Sequence, residues 1–143
     1  MLYAHVIVAF DGSAQSWKAL ESGIKLVESD LAERLTVVHV YSFPYLTLAD
    51  AVITASAPVQ KELYDKAEAM LAEAAEKIAH LPNSRAELLE GSPAQSILGY
   101  TEQNDGSLII IGTRGLGGLR EFMMGSVSHN VAQHSKVPVL IVK

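Results

Sequence analysis

Five short apolar runs alternate with four longer stretches in which apolar residues recur at helical spacing. "AHVIVAF" (4–10), "LTVVHVY" (35–41), "AELLE" (86–90), "SLIIIG" (107–112) and "VPVLIV" (137–142) have the length of strands, and four of the five show almost no apolar/polar alternation. Uninterrupted apolar character is what a strand needs when helices cover both faces of a parallel sheet. Residues 14–28 put Trp17, Leu20, Ile24 and Val27 on one stripe; residues 59–80 do the same with Leu63, Ala67, Met70, Leu71, Ala74 and Ile78. On the opposite face of this second helix, Glu62 with Lys66 and Glu73 with Lys77 form i,i+4 pairs in the favourable order. "GSPAQSIL" offers Ser92 as N-cap, Pro93 at the first helical position and Gln95 three residues after the cap, so a third helix starts there. A fourth is expected over about 126–134, ended by the approach to Pro138.

The order βαβαβαβαβ, with right-handed crossovers, predicts a single α/β domain over residues 1–143. The expected architecture is an open, doubly wound, Rossmann-like sheet of five mainly parallel strands with four helices. Ligands of such sheets sit beyond the carboxyl ends of the strands, where the strand order reverses. With the order 3-2-1-4-5, two loops become neighbours across that crevice: Asp11-Gly12-Ser13 after the first strand, and "GTRGLGGLREFMMGSVSHN" (112–130) after the fourth.

Charge narrows the classes of partner. The chain of 143 residues has a formal net charge of -5 and no Lys/Arg block, so neither nucleic acid nor an anionic membrane is an expected partner. Cysteine is absent, which removes disulfides, thiolate metal sites and cysteine nucleophiles. The opening "MLYAHVIVAFDGS" lacks a basic n-region and its apolar run stops at Asp11, so a cytoplasmic location is expected.

The second loop carries the candidate chemistry. Its spacing is Gly112, two residues, Gly115, nine residues, Gly125 and then Ser126. There is no Gly-Lys-Ser/Thr, and no dinucleotide fingerprint follows the first strand. Glycines in such a loop are expected to reach positive φ and present bare amide N–H groups to an anion. Ser126 adds a hydroxyl at a helix N-terminus whose free N–H groups and dipole favour phosphate. A surface loop whose glycines only make turns is the alternative.

Gly-x2-Gly-x9-Gly-Ser, followed by a short helix and "VPVLIVK", resembles the ATP-binding branch of the universal stress protein family. "VIVAFDGS", "LTVVHVY" and "EGSPAQSIL" resemble that family's first strand and loop, second strand and third helix. The resemblance implies an adenine nucleotide, ATP, with Mg2+ or Mn2+ held through the phosphates. It implies that Asp11 faces the ribose and adenosine side and that Val40 meets adenine through its backbone. Gly112 is implied to lie against the ribose and first phosphate, and Gly115, Gly125 and Ser126 on the phosphate chain, with Val127 and Ser128 close by. It also implies a homodimer and a nucleotide-responsive stress or energy-state regulator, its protein partner unknown. Slow ATP hydrolysis or phosphotransfer, and a dimeric interaction module that binds no nucleotide, are the alternatives.

Other residues have plainer readings. Ser13 is expected to cap the first helix, compatibly with nucleotide contact by Asp11. Arg114 and Arg120 read as solvated loop arginines, the alternative being an approach to a phosphate; Glu121 reads as a solubilising charge, the alternative being to orient a water; and His39 reads as a hydrogen-bonded core histidine. His129 and His134 are five apart, which is not a metal-ligand spacing. No catalytic set is specified: "GSVSHN" lacks G-x-S-x-G, and no spaced carboxylate pair stands out. The last strand, at a sheet edge, is expected to pair with a second copy, with Pro138 at its start or on its unpaired side. Residues 43–58, long and apolar for a connection, are expected to be a lid, a partner surface or poorly ordered, or else partly helical and packed on the domain itself.

Overall fold

The computed structural model describes residues 1–114 and 124–143. In chain order the elements are β1 (Tyr3–Ala9), α1 (Ala14–Glu28), β2 (Ala32–Tyr41), β3 (Tyr45–Leu48), β4 (Ala51–Thr54), α2 (Ala57–Ile78), β5 (Ser84–Glu90), α3 (Pro93–Gln103), β6 (Leu108–Gly112), α4 (Ser126–His134) and β7 (Val139–Val142). Five of the strands form one parallel sheet in the order β5-β2-β1-β6-β7. Counted within that sheet, the order is the expected 3-2-1-4-5. β1 is its centre, and the chain turns to one side of it with β2 and to the other with β6.

Both faces of the sheet are covered, which accounts for the unbroken apolar runs. Val6, Val8 and Phe10 join Leu20 of α1 and Leu71, Ala74 and Ile78 of α2 in one core layer. Ile7 and Ala9, pointing the other way, join Ala94 and Ile97 of α3 and Val131 of α4. Polar side chains are buried beside these layers too, His5 and Thr36 among them. His5 is buried, its Nδ1–H donating to the Asn104 carbonyl at 2.9 Å and its Nε2 accepting from the Thr36 hydroxyl at 2.8 Å. Burial lowers its pKa from the ordinary histidine value.

Three local expectations come out differently. Residues 43–58 are neither a plain connection nor helical up to Ser56: β3 and β4 form a separate antiparallel hairpin, and α2 begins already at Ala57. Ser92 is the N-cap of α3 and Pro93 stands in its first turn, but the Ser92 side chain makes no capping hydrogen bond. Among the described glycines only Gly12 and Gly91 have positive φ, so Gly112 and Gly125 do not serve by left-handed backbone.

Candidate functional site

The carboxyl ends of β1, β2 and β6 end at unequal heights, and a cleft of about 280 Å³ opens above them. β1 stops at Ala9, its neighbour Phe10 giving a last N–H to the Val38 carbonyl at 2.8 Å, while β2 continues to Tyr41. Along a strand, the backbone polar groups of alternate residues point to the same side. The Val38 carbonyl faces β1 and the Tyr41 carbonyl faces β5, where it accepts from Gly91 N–H at 2.9 Å. The N–H and C=O of Val40 therefore point toward β1 at a level that β1 no longer reaches, and both face the cleft. Ala9, Val38, Ile97 and Ile111 give this part of the cleft apolar walls.

His39 fixes the step between the two strands. Its Nδ1–H donates to the Phe10 carbonyl at 2.8 Å, so the end of β2 is tied to the last residue before Asp11. This is the hydrogen-bonded core histidine expected from its place in an apolar strand. The turn that follows is closed by its own side chains. Asp11 Oδ1 accepts from Ser13 N–H at 2.9 Å, and Ser13 Oγ caps α1 by accepting from Ser16 N–H at 3.2 Å. Gly12, at φ 82, supplies the left-handed residue of this turn.

On the far side, β6 runs into the cleft at Gly112. A Cβ on this residue would lie 2.7 Å from the Gln15 Cβ and 3.1 Å from the Gln15 carbonyl carbon. Glycine is thus required by the close approach of β6 to the first turn of α1. α4 starts beyond the loop with Gly125 as N-cap in extended conformation, and no described side chain caps it. The helix start is held to β6 through Thr113, whose carbonyl accepts from Gly125 N–H at 2.6 Å and from the Ser128 hydroxyl at 2.7 Å. Ser128 is buried and so acts by fixing α4, whereas Ser126 is exposed at the mouth. The first-turn N–H groups of α4 lie at the cleft without a side-chain acceptor among the described residues, a local excess of positive dipole.

Asp11, Val40, Gly112, Gly125, Ser126, Val127 and Ser128 all line this single cleft. Gly115, Arg120 and Glu121 lie outside the described residues. Arg114, weighed as a solvated arginine or a phosphate contact, also lines the cleft, and so do Ser16, Pro93, Ile97 and Ile111, which were not expected. Ile97 had a legible signal, one turn into a helix whose start was fixed by Ser92 and Pro93. Ser16 had none, because a small polar residue in the first turn of a helix is unremarkable.

A crevice at the strand-order reversal of a parallel sheet, with an apolar half and an amide-lined half, is the ligand site of the doubly wound α/β class. The chain belongs to the universal stress protein family, whose model matches residues 2–143. It is 35% identical over 150 residues to the universal stress protein YxiE of Bacillus subtilis, covering 99% of this chain and 100% of that one. It is similar to a universal stress protein solved in complex with cAMP, at 28% identity and a TM-score of 0.71, covering 100% of this chain and 99% of that chain. The universal stress protein from Archaeoglobus fulgidus, solved in complex with dAMP, shares the fold at 23% identity and a TM-score of 0.67, with 100% of both chains covered.

Proposed function

We propose that this protein binds ATP in the cleft and works as a homodimeric, nucleotide-responsive regulator of stress or energy state. The observation that carries the proposal is the step between β1 and β2. It leaves the Val40 N–H and C=O side by side at an apolar slot, opposite the uncapped start of α4. A neighbouring donor and acceptor match the ring nitrogen and exocyclic amine on one edge of adenine, and guanine presents the opposite pattern there. The amides of Ser126 and Val127 then receive the phosphates, and the Asp11 carboxylate faces the ribose hydroxyls. Adenine nucleotides in the solved relatives with cAMP and dAMP support this choice of base.

Among the described residues no group of three or more His, Asp or Glu is placed to hold a metal ion. A Mg2+ or Mn2+ ion therefore fits only as a companion of ATP, with phosphate oxygens as its main ligands and Asp11 the one carboxylate among the described lining residues. Its chemistry is to neutralise phosphate charge. The cleft's described residues serve binding, and we assign them no catalytic role.

The dimer is formed by β7. It pairs only with β6, its other edge is open among the described residues, and Leu140 is exposed on it. Pro138 precedes the strand and uses its carbonyl to accept from Ile109 N–H at 3.0 Å, so it takes no donor away from the edge. Two copies of β7 antiparallel across a two-fold axis satisfy both edges. No described helix is long and apolar enough to cross a membrane.

Thermal unfolding of nucleotide-stripped protein with Mg-ATP, Mg-GTP and cAMP tests the reading. At one hundred times its dissociation constant, ATP adds about 2.7 kcal/mol to the folded state. A rise with ATP and none with GTP is expected. No rise with any adenine nucleotide at millimolar concentration would overturn the proposal in favour of a module that binds no nucleotide.

A further inference from the structure

The ladder between β1 and β2 stops one hydrogen bond early. Its pairing is parallel and regular up to Ala9 opposite Val38, and the same register carries Phe10 opposite His39. Phe10 N–H still donates to the Val38 carbonyl at 2.8 Å. In a regular parallel ladder, a residue that gives its N–H to one residue of the neighbouring strand receives at its own carbonyl the N–H found two residues further along that strand. The donor due at the Phe10 carbonyl is therefore Val40 N–H. That bond is not made, and β1 ends at Ala9. The Phe10 carbonyl accepts instead from His39 Nδ1–H at 2.8 Å. A carbonyl only accepts, so Nδ1 carries the proton. The ring belongs to the residue just before Val40, so it meets this carbonyl from the side on which Val40 N–H would approach.

We infer that His39 is a positioning residue for the base: by taking the Phe10 carbonyl it holds back the last rung of the ladder and keeps Val40 N–H for the ligand. The inference rests on the proposed contact between adenine and the Val40 backbone. Two requirements meet at this point. Phe10 is buried, so its carbonyl needs a donor, and the nearest backbone donor is the one the base needs. A side-chain donor resolves the conflict. His39 is itself only 8% exposed, which holds its ring in place against the carbonyl. The same bond reaches both halves of the nucleoside contact, because Phe10 directly precedes Asp11 and His39 directly precedes Val40. Leucine at position 39 offers no donor, so the Phe10 carbonyl would draw in Val40 N–H and close the ladder. Asparagine carries an amide N–H where the imidazole has Nδ1–H, and so keeps the ladder open.

Amide exchange followed by NMR, together with calorimetric titration of adenosine and inorganic triphosphate, tests this in wild type, His39→Leu and His39→Asn. In nucleotide-free wild type the Val40 amide is expected to exchange readily, and to be protected by adenosine but not by triphosphate. In His39→Leu the same amide is expected to be protected with no ligand present. Adenosine affinity should then fall about tenfold or more, with triphosphate bound as before. His39→Asn should keep the open amide and an adenosine affinity close to wild type. A histidine that only supports the fold behaves differently: its loss weakens adenosine and triphosphate alike and leaves the Val40 amide exchanging readily, and that result overturns the inference. So does a His39→Asn variant that behaves like His39→Leu. Protection of the Val40 amide in nucleotide-free wild type overturns it as well, whether or not His39→Leu folds. Equal adenosine affinity in wild type and His39→Leu overturns this inference alone, whereas a wild type that binds no adenine nucleotide overturns it together with the proposed function.

Discussion

Helices α1 and α4 both begin at the cleft, and their first turns are finished in opposite ways. α1 is closed from within: Ser13 Oγ accepts from Ser16 N–H, and Asp11 braces the turn by accepting from Ser13 N–H. α4 is led by Gly125, which has no side chain to offer, and its buried Ser128 hydroxyl points back to Thr113 instead of forward to the amides. The same physical problem, orphan N–H groups at a helix start, is solved by the chain in one case and, under the proposed function, left to the nucleotide in the other. The glycines of the cleft follow this division. Gly112 lets the two helix starts come close, and Gly125 keeps one of them open.

Five changes break or sharpen this contrast. The largest effect is expected from Gly112→Val, which forces side-chain atoms into the Gln15 backbone. A loss of about 3 kcal/mol in denaturant unfolding is expected, because neither β6 nor α1 has room to give. Gly125→Asp supplies α4 with the acceptor that α1 already has and places a negative charge at its start. ATP affinity should fall at least a hundredfold, about 2.7 kcal/mol, by titration calorimetry. Val40→Pro removes the N–H that faces the cleft while sparing the β5 side of the strand. A ten- to hundredfold loss for ATP, with inorganic triphosphate unaffected, is the expected calorimetric pattern.

Smaller effects are expected away from the open amides. Ser13→Ala uncaps α1 and should cost about 1 kcal/mol of stability, seen in urea unfolding, with ATP affinity nearly unchanged. His5 lies at the other end of the sheet and gives a pH effect independent of the cleft. Its folded pKa lies below the unfolded value near 6.5, so between those two values the unfolded chain binds the proton and the folded one does not. Stability should therefore fall as pH drops from 6.5 through the folded pKa. His5→Asn should flatten the urea-unfolding profile in that window.

The sheet was legible because its central strands β1, β2 and β6 are covered on both faces and so read as apolar runs, and because Ser13, Pro93 and Pro138 punctuate the chain by known backbone chemistry. The hairpin was not. Its turn is Ala49-Asp50, with Ala49 at φ 51, a conformation that glycine or asparagine ordinarily announces. At the cleft, Asp11, Gly112, Gly125 and Ser126 were named correctly as neighbours, whereas the reason for the glycines was misjudged as positive φ. Close approach at Gly112 depends on where α1 lies, which no local spacing encodes. The role of Ser128 was hidden for the same reason, since its partner Thr113 lies fifteen residues away.

Calorimetric titration of adenosine, AMP and Mg-ATP into wild type and Gly125→Asp addresses the open start of α4 most directly. Affinity is expected to rise with each added phosphate on wild type, and in Gly125→Asp to collapse for ATP while adenosine binds as before. Equal affinity for adenosine and ATP on wild type, or a Gly125→Asp variant that binds ATP undiminished, would contradict the assignment of the phosphates to that helix.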